Sequence, residues 1–200
     1  MILRSPARLI RNQSGASAVE FALVVPVLLT MLFGLFDLGH NMYTAQMLQG
    51  AIQKAARDST IEGASTTSAQ LDAFVTKAVR AIAPGATLTF NRKSYSSFTS
   101  VSRPEDYNDQ NTNGTCDNGE AFEDANKNGS WDKDTGNTGF GSARDAVLYT
   151  VTVSYNRLFP IAAFIPGQTK TFSMSATNVL RNQPYGASGQ KMAPGTGNCT

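Results

Sequence analysis

The chain has 200 residues, with 17 Lys and Arg against 15 Asp and Glu, one His and two Cys. That size holds one modest domain beside an anchor. One His and two Cys exclude the usual zinc sites, and basic residues scattered singly or in pairs exclude a nucleic-acid surface. His40 stands far from any nucleophile and acid that could act with it, and neither a glycine-rich phosphate loop nor H-E-x-x-H occurs, so no enzyme is expected.

Residues 1–15 are polar and basic, with Arg4, Arg8 and Arg11, and read as a leader or cytoplasmic tail. From Ala16 to Phe36 the only charge is Glu20. As a helix rising about 1.5 Å per residue, this stretch spans about 30 Å, the thickness of a bilayer's hydrocarbon. A helix that is apolar on every side has little use in a soluble domain, so the stretch is expected to cross a membrane. Basic residues before it and Asp37 after it place the N-terminus in the cytoplasm and the remaining chain across the membrane. A cleaved signal peptide would have a shorter apolar core ending in an Ala-x-Ala-like site; here the run is long and continues into Leu35-Phe36-Asp37-Leu38-Gly39, with no convincing site of that kind. Pro26 cannot donate to the helix ladder and predicts a kink. Glu20 is costly in hydrocarbon and calls for a partner.

Leu38, Met42, Ala45, Leu48, Ile52 and Ala55 recur at spacings of three and four, so the helix continues as an amphipathic rod to Asp58. The Ser/Thr/Gly-rich stretch 59–68 ends it. Thr67 and Gln70 can form a capping box for a second helix, whose apolar side is Leu71, Phe74, Val75, Ala78, Val79 and Ile82, and which stops at Pro84-Gly85. Strands are expected over Thr87–Arg92, Ala146–Tyr155 and Thr169–Val179, the last two pairing antiparallel, while Lys93–Ser102 reads as a strand end or a loop. Phe159–Ile165 is a short apolar run bounded by Pro160 and Pro166, either a buried connection or a patch for a partner or the bilayer surface, with burial the more usual outcome. The tail 182–200 is Pro/Gly/Ser-rich and is expected to be extended unless Cys199 ties it down. The fold class is α+β: a spine helix over 16–58, then an extracytoplasmic domain over 59–181 with one helix on a small antiparallel sheet.

Nine of the 15 acids fall between Glu105 and Asp134, inside an insert over 103–142. Asp109, Asn111, Asn113, Gly114 and Glu120 match D-x-[DN]-x-[DN]-G-x5-E, with Thr115 at position seven and Asp117 at nine. Alternate side chains of such a loop aim oxygens inward, glycine permits the sharp turn, and a final carboxylate closes the sphere around Ca2+. Fifteen residues on, Asp124, Asn126, Asn128, Gly129, Ser130 and Asp132 repeat the pattern, but position twelve is Thr135, so the second loop is expected to be either weaker or completed by a neighbour such as Asp134 or Glu123. Neither loop has helices on both flanks, so the insert is expected to hold structural calcium loops that are not EF-hands. Cys116 and Cys199 lie on the oxidising side of the membrane, where a disulfide is allowed; the sequence leaves bridged and free forms open.

Gly15-Ala16-Ser17-Ala18-Val19-Glu20-Phe21 resembles the processing site of type IV pilins and pseudopilins of the Flp/Tad class. The longer chain resembles TadE/TadG-like pilus assembly proteins, minor pilins or pseudopilins, over roughly its first 60 residues. The likeness returns at Ser175–Val179 and Arg181–Tyr185, which look like that family's closing strand and tail. The resemblance implies cleavage by a prepilin peptidase after Gly15, with Glu20 as the fifth mature residue, followed by the aromatic Phe21. It implies assembly with other pilus subunits, a pilin-like domain, and an inner-membrane, single-pass protein with its domain in the periplasm, able to enter an extracellular pilus. The alternative is a stationary, membrane-anchored, calcium-dependent binding or adhesion module, which needs neither the cut nor a working Glu20.

Overall fold

The computed structural model describes residues 15–59, 68–142, 144–181 and 194–200. The chain divides into two compact units, Met1–Tyr43 with Asn156–Phe172 and Thr44–Tyr155 with Ser173–Thr200. The leader over 1–14, the cap residue Thr67 and the stretch 182–193 lie outside the described residues.

Helix α1 runs from Ala16 to Ser59, and the carbonyl of Gly15 accepts the Val19 N–H at 3.2 Å. Val19, Phe21, Leu23, Met31 and Leu35 are each more than 60% exposed. A helix this apolar and this bare is stable only with hydrocarbon around it. Among the described residues it is the one helix long and apolar enough to cross a membrane, as a single membrane anchor requires. Pro26 sits within it, and the Thr30 hydroxyl donates to the Pro26 carbonyl at 2.7 Å.

In the first unit the apolar span ends at a buried charge. Asp37 is 3% exposed, and its Oδ2 accepts hydrogen bonds from Asn41, at 2.8 Å, and from Arg157. Arg157 also donates through Nε to the Thr169 carbonyl at 3.1 Å and through Nη2 to Gln168 at 3.3 Å, and it lies 5.0 Å over the Phe172 ring. The apolar run expected to be buried is only partly so. Ile161 is covered within a 3₁₀ turn over Ile161–Ala163, while Leu158, Phe164 and Ile165 are exposed. The run lies against α1, where the Phe159 ring stands 6.1 Å from that of Phe33.

The second unit is a helix packed on small antiparallel sheets. Strand β1 (Thr87–Tyr95) extends past the expected Arg92, so the first part of Lys93–Ser102 is strand and the rest is loop. Elements β2 (Ala121–Asp124) and β3 (Asn137–Thr138) lie in the insert, followed by β4 (Ala146–Asn156), β5 (Thr171–Arg181) and β6 (Gly195–Asn198). The main sheet has the order β3-β1-β4-β5, with β1 antiparallel to β4 from Thr87 opposite Ser154 to Tyr95 opposite Ala146. The alternation expected for 146–155 is the one observed: Val147, Tyr149, Val151, Val153 and Tyr155 are all buried. Leu48, Ile52, Ala55 and Ala56 of α1 and Val75 and Val79 of α2 (Ser68–Arg80) complete the core. Full burial of each larger aliphatic contributes about 1.5–3 kcal/mol.

Asp72 anchors α2. It pairs with Arg92 of β1 and accepts the Tyr149 hydroxyl of β4 at 2.8 Å. Burial first, and the Asp72 carboxylate second, push the Tyr149 hydroxyl above the ordinary tyrosine range. The last residues of the tail are ordered: β6 pairs antiparallel with β2, Ala121 opposite Asn198 and Phe122 opposite Gly197. The Phe122 ring fills the space where a side chain at residue 197 would stand.

Candidate functional site

The insert repeats with a period of fifteen residues, and its two loops have one backbone. Thr112 and Lys127 at position four have φ of 59° and 60°, and Gly114 and Gly129 at position six have φ of 77° and 80°. Only glycine adopts the latter without strain. In loop 1, Asp109 accepts the N–H of Asn113 through Oδ1 and of Gly114 through Oδ2, at 3.2 and 2.8 Å. In loop 2, Asp124 accepts those of Asn128 and Gly129 at 3.1 and 2.9 Å. Asn111 and Asn126 each accept the N–H two residues on at 3.0 Å, and Asn113 and Asn128 do the same at 2.8 Å. Asp117 takes the side-chain amides of Asn111 and Asn113, and Asp132 takes those of Asn126 and Asn128. The amides hold the Asp117 carboxyl below its ordinary range.

Each loop is closed by a buried glutamate. Glu120, 5% exposed, accepts the N–H of Gln110 at 2.8 Å and of Asp117 at 2.9 Å. In loop 2 the same duty, at positions two and nine, falls to Glu105. It is 2% exposed and accepts the N–H of Ala125 at 2.8 Å and of Asp132 at 3.1 Å. Burial is the main force raising the Glu105 carboxyl above its ordinary range, and these N–H donors oppose it.

Glu105 was absent from the sequence reading, which looked to Asp134 or Glu123. Asp134 instead takes the Lys93 ammonium at 2.5 Å and the Gly136 N–H at 3.2 Å, and Glu123 is exposed on β2 opposite Thr196. The signal for Glu105 was present, because it stands one fifteen-residue period before Glu120. The repeats meet through a bridge between Tyr107 and Phe122, flanked by Asn108 N–H to the Ala121 carbonyl and Glu123 N–H to the Asp106 carbonyl, both 2.8 Å. The leading glutamate of each repeat thereby reaches the other repeat's loop.

Position eight ties each loop to chain outside it. Cys116 is joined to Cys199 by a disulfide with Cα atoms 5.7 Å apart. Trp131 donates its indole N–H to the Glu105 carbonyl at 2.9 Å and meets the Tyr107 ring edge-on at 5.6 Å. The donors in both loops are oxygens of Asp, Asn, Glu and backbone carbonyls, a hard set that suits calcium rather than zinc or copper. Among the described residues no three or more His, Cys, Asp or Glu gather where they could hold a metal ion of any kind. At the start of α1, Ala16 opens the helix, and Glu20 and Phe21 are exposed on it.

Residues 15–57 match the TadE-like protein family, a non-catalytic one. The match covers less than a quarter of the 200 residues, all of it on α1 and the glycine before it. No curated protein and no solved structure matches the chain.

Proposed function

With residues 15–57 TadE-like, we propose that the protein is a minor pilin or pseudopilin-type component of a Flp/Tad-type pilus assembly system. The observation that carries this reading is the place of the match. It begins at Gly15, the residue before the helix, and runs along the one helix among the described residues that can cross a membrane. A prepilin peptidase cuts after Gly15 on the cytoplasmic side of the inner membrane, and Glu20 becomes the fifth residue of the mature chain. In hydrocarbon two isolated charges are far costlier than a pair. Glu20 therefore meets the new N-terminal amine of a neighbouring subunit and sets axial register, while the sheet domain stands in the periplasm.

Intact mass and N-terminal sequence of the protein from its native membrane test this. A chain beginning at Ala16 supports it; a chain still beginning at Met1 beside an active peptidase favours the stationary anchored module. Glu20→Ala is expected to spare membrane insertion and impair incorporation, and normal incorporation overturns the register role.

The insert's ligand in this reading is calcium. Asp109, Asn111, Asn113, Asp117, Glu120 and the Thr115 carbonyl would hold one ion. Asp124, Asn126, Asn128, Asp132, the Ser130 carbonyl and Glu105 would hold a second. The support is an all-oxygen donor set whose bonds from backbone N–H groups repeat in the two loops. Affinity is expected at about 10⁻⁴–10⁻³ M, the range of extracellular modules, and the role is to stiffen a long polar segment. Calcium should protect the insert from limited proteolysis, and a chain with Asp109, Asn111 and Glu120 all replaced by Ala should lose that protection at loop 1. Identical digestion with and without calcium counts against the ion.

A further inference from the structure

The connection from β4 to β5 exposes more apolar surface than a turn in water tolerates. Leu158 is 67% exposed and Phe164 52%, with Ile165 beside them. The same connection is fastened to the membrane helix within one compact unit. The Phe159 ring lies 6.1 Å from that of Phe33 and 5.7 Å from that of Phe36, and the Phe164 ring lies 6.2 Å from that of Phe33. Phe33 is four residues inside Asp37, about 6 Å along the helix axis, so these rings stand at the level of the hydrocarbon. The guanidinium of Arg157, bonded to Asp37, Gln168 and the Thr169 carbonyl, fixes the connection at that height. Next to it a cleft of about 360 Å³ has Phe159 and Pro160 in its wall and Lys170 at its rim.

We propose that residues 158–165 form a wedge in the membrane surface, with Leu158, Phe164 and Ile165 among the lipid acyl chains at the outer end of α1 and Lys170 among the headgroups. The occupant is the bilayer because the wedge continues a surface that already faces hydrocarbon, the exposed Leu32, Leu35 and Phe36 of α1. The proposal rests on α1 spanning the membrane and is independent of calcium and of pilus entry. A second foothold beside a single helix fixes that helix's rotation and tilt. It also adds to the work of lifting the subunit out of the membrane.

The test uses the full chain in phosphatidylcholine vesicles whose acyl chains carry bromine near the glycerol end, a quencher of tryptophan. Phe164→Trp and, separately, Leu158→Trp are compared with the unsubstituted chain, whose single tryptophan, Trp131, supplies the baseline. The expected result is an added emission at shorter wavelength that loses intensity on brominated lipid, with or without anionic lipid. Added emission typical of water and unmoved by bromine overturns the wedge, as does quenching that needs anionic lipid, which would mean charge capture by Lys170. A shift that appears only when copies of the chain are crowded also overturns it and makes a neighbouring subunit the occupant. Leu23→Trp, inside the span, tells the failures apart: without quenching there, the membrane reading of α1 falls as well.

Discussion

The two loops of the insert share a backbone and a hydrogen-bond plan, yet they are held shut by different devices. Loop 1 is tied at position eight by the Cys116–Cys199 disulfide and backed by the carbonyl and N–H of Cys199, which bond to Gly119 and Glu120 at 3.0 and 2.8 Å. Loop 2 has Trp131 at that position, hydrogen-bonded to the Glu105 carbonyl. The repeat sets the loop; position eight sets what the loop is tied to.

The largest expected break in this likeness is removal of the disulfide. Cys116 and Cys199 are 83 residues apart, and replacing both with Ser should cost about 4 kcal/mol. Hydrogen exchange should quicken at 114–116 and stay slow at 129–131, and equal quickening would mean that the loops open together.

Next come the glutamates. Glu105→Ala and Glu120→Ala each strip two backbone N–H groups of a carboxylate partner, and each should cost about 3 kcal/mol in urea unfolding. Similar losses sharpen the equivalence, and a negligible loss at Glu105 breaks it.

The smallest effect appears only in alkali. Tyr95 borders the exit of loop 2, and burial first, then Asp134, push its hydroxyl from 10.0 up to about 12. A pKa raised on folding means stability that is whole below pH 10 and is lost as the pH climbs toward 12. Tyr95→Phe should flatten that part of the alkaline melting profile, and an unchanged slope would remove Tyr95 as its source.

Composition and periodicity made α1, α2 and the longest strands legible. A 21-residue stretch whose only charge is Glu20 has few alternatives to a membrane span, and β4 alternates from Val147 onward. The turn of each loop was legible in its Asn-x-Asn-Gly spacing. Glu105 was not, because a twelve-residue motif does not look backward to a residue supplied across the bridge between the repeats. Asp37 and Arg157, 120 residues apart, carry no mutual signal. Gly195–Asn198 has no strand propensity of its own and is a strand through its pairing with β2. Phe159–Ile165 reads either as buried chain or as a patch for a partner or a bilayer, because composition does not record what surrounds an apolar run.

The Cys116–Cys199 tie also sets an order of events. Glu120 reaches Gln110 across 10 residues and Glu105 reaches Ala125 across 20, so both carboxylates can be seated from within the insert alone. Trp131 fastens loop 2 to the Glu105 carbonyl across 26 residues, whereas the tie of loop 1 spans 83, and contacts that distant form late. Loop 1 therefore receives its last fastening after loop 2 has its own, and until then it carries a free thiol at Cys116.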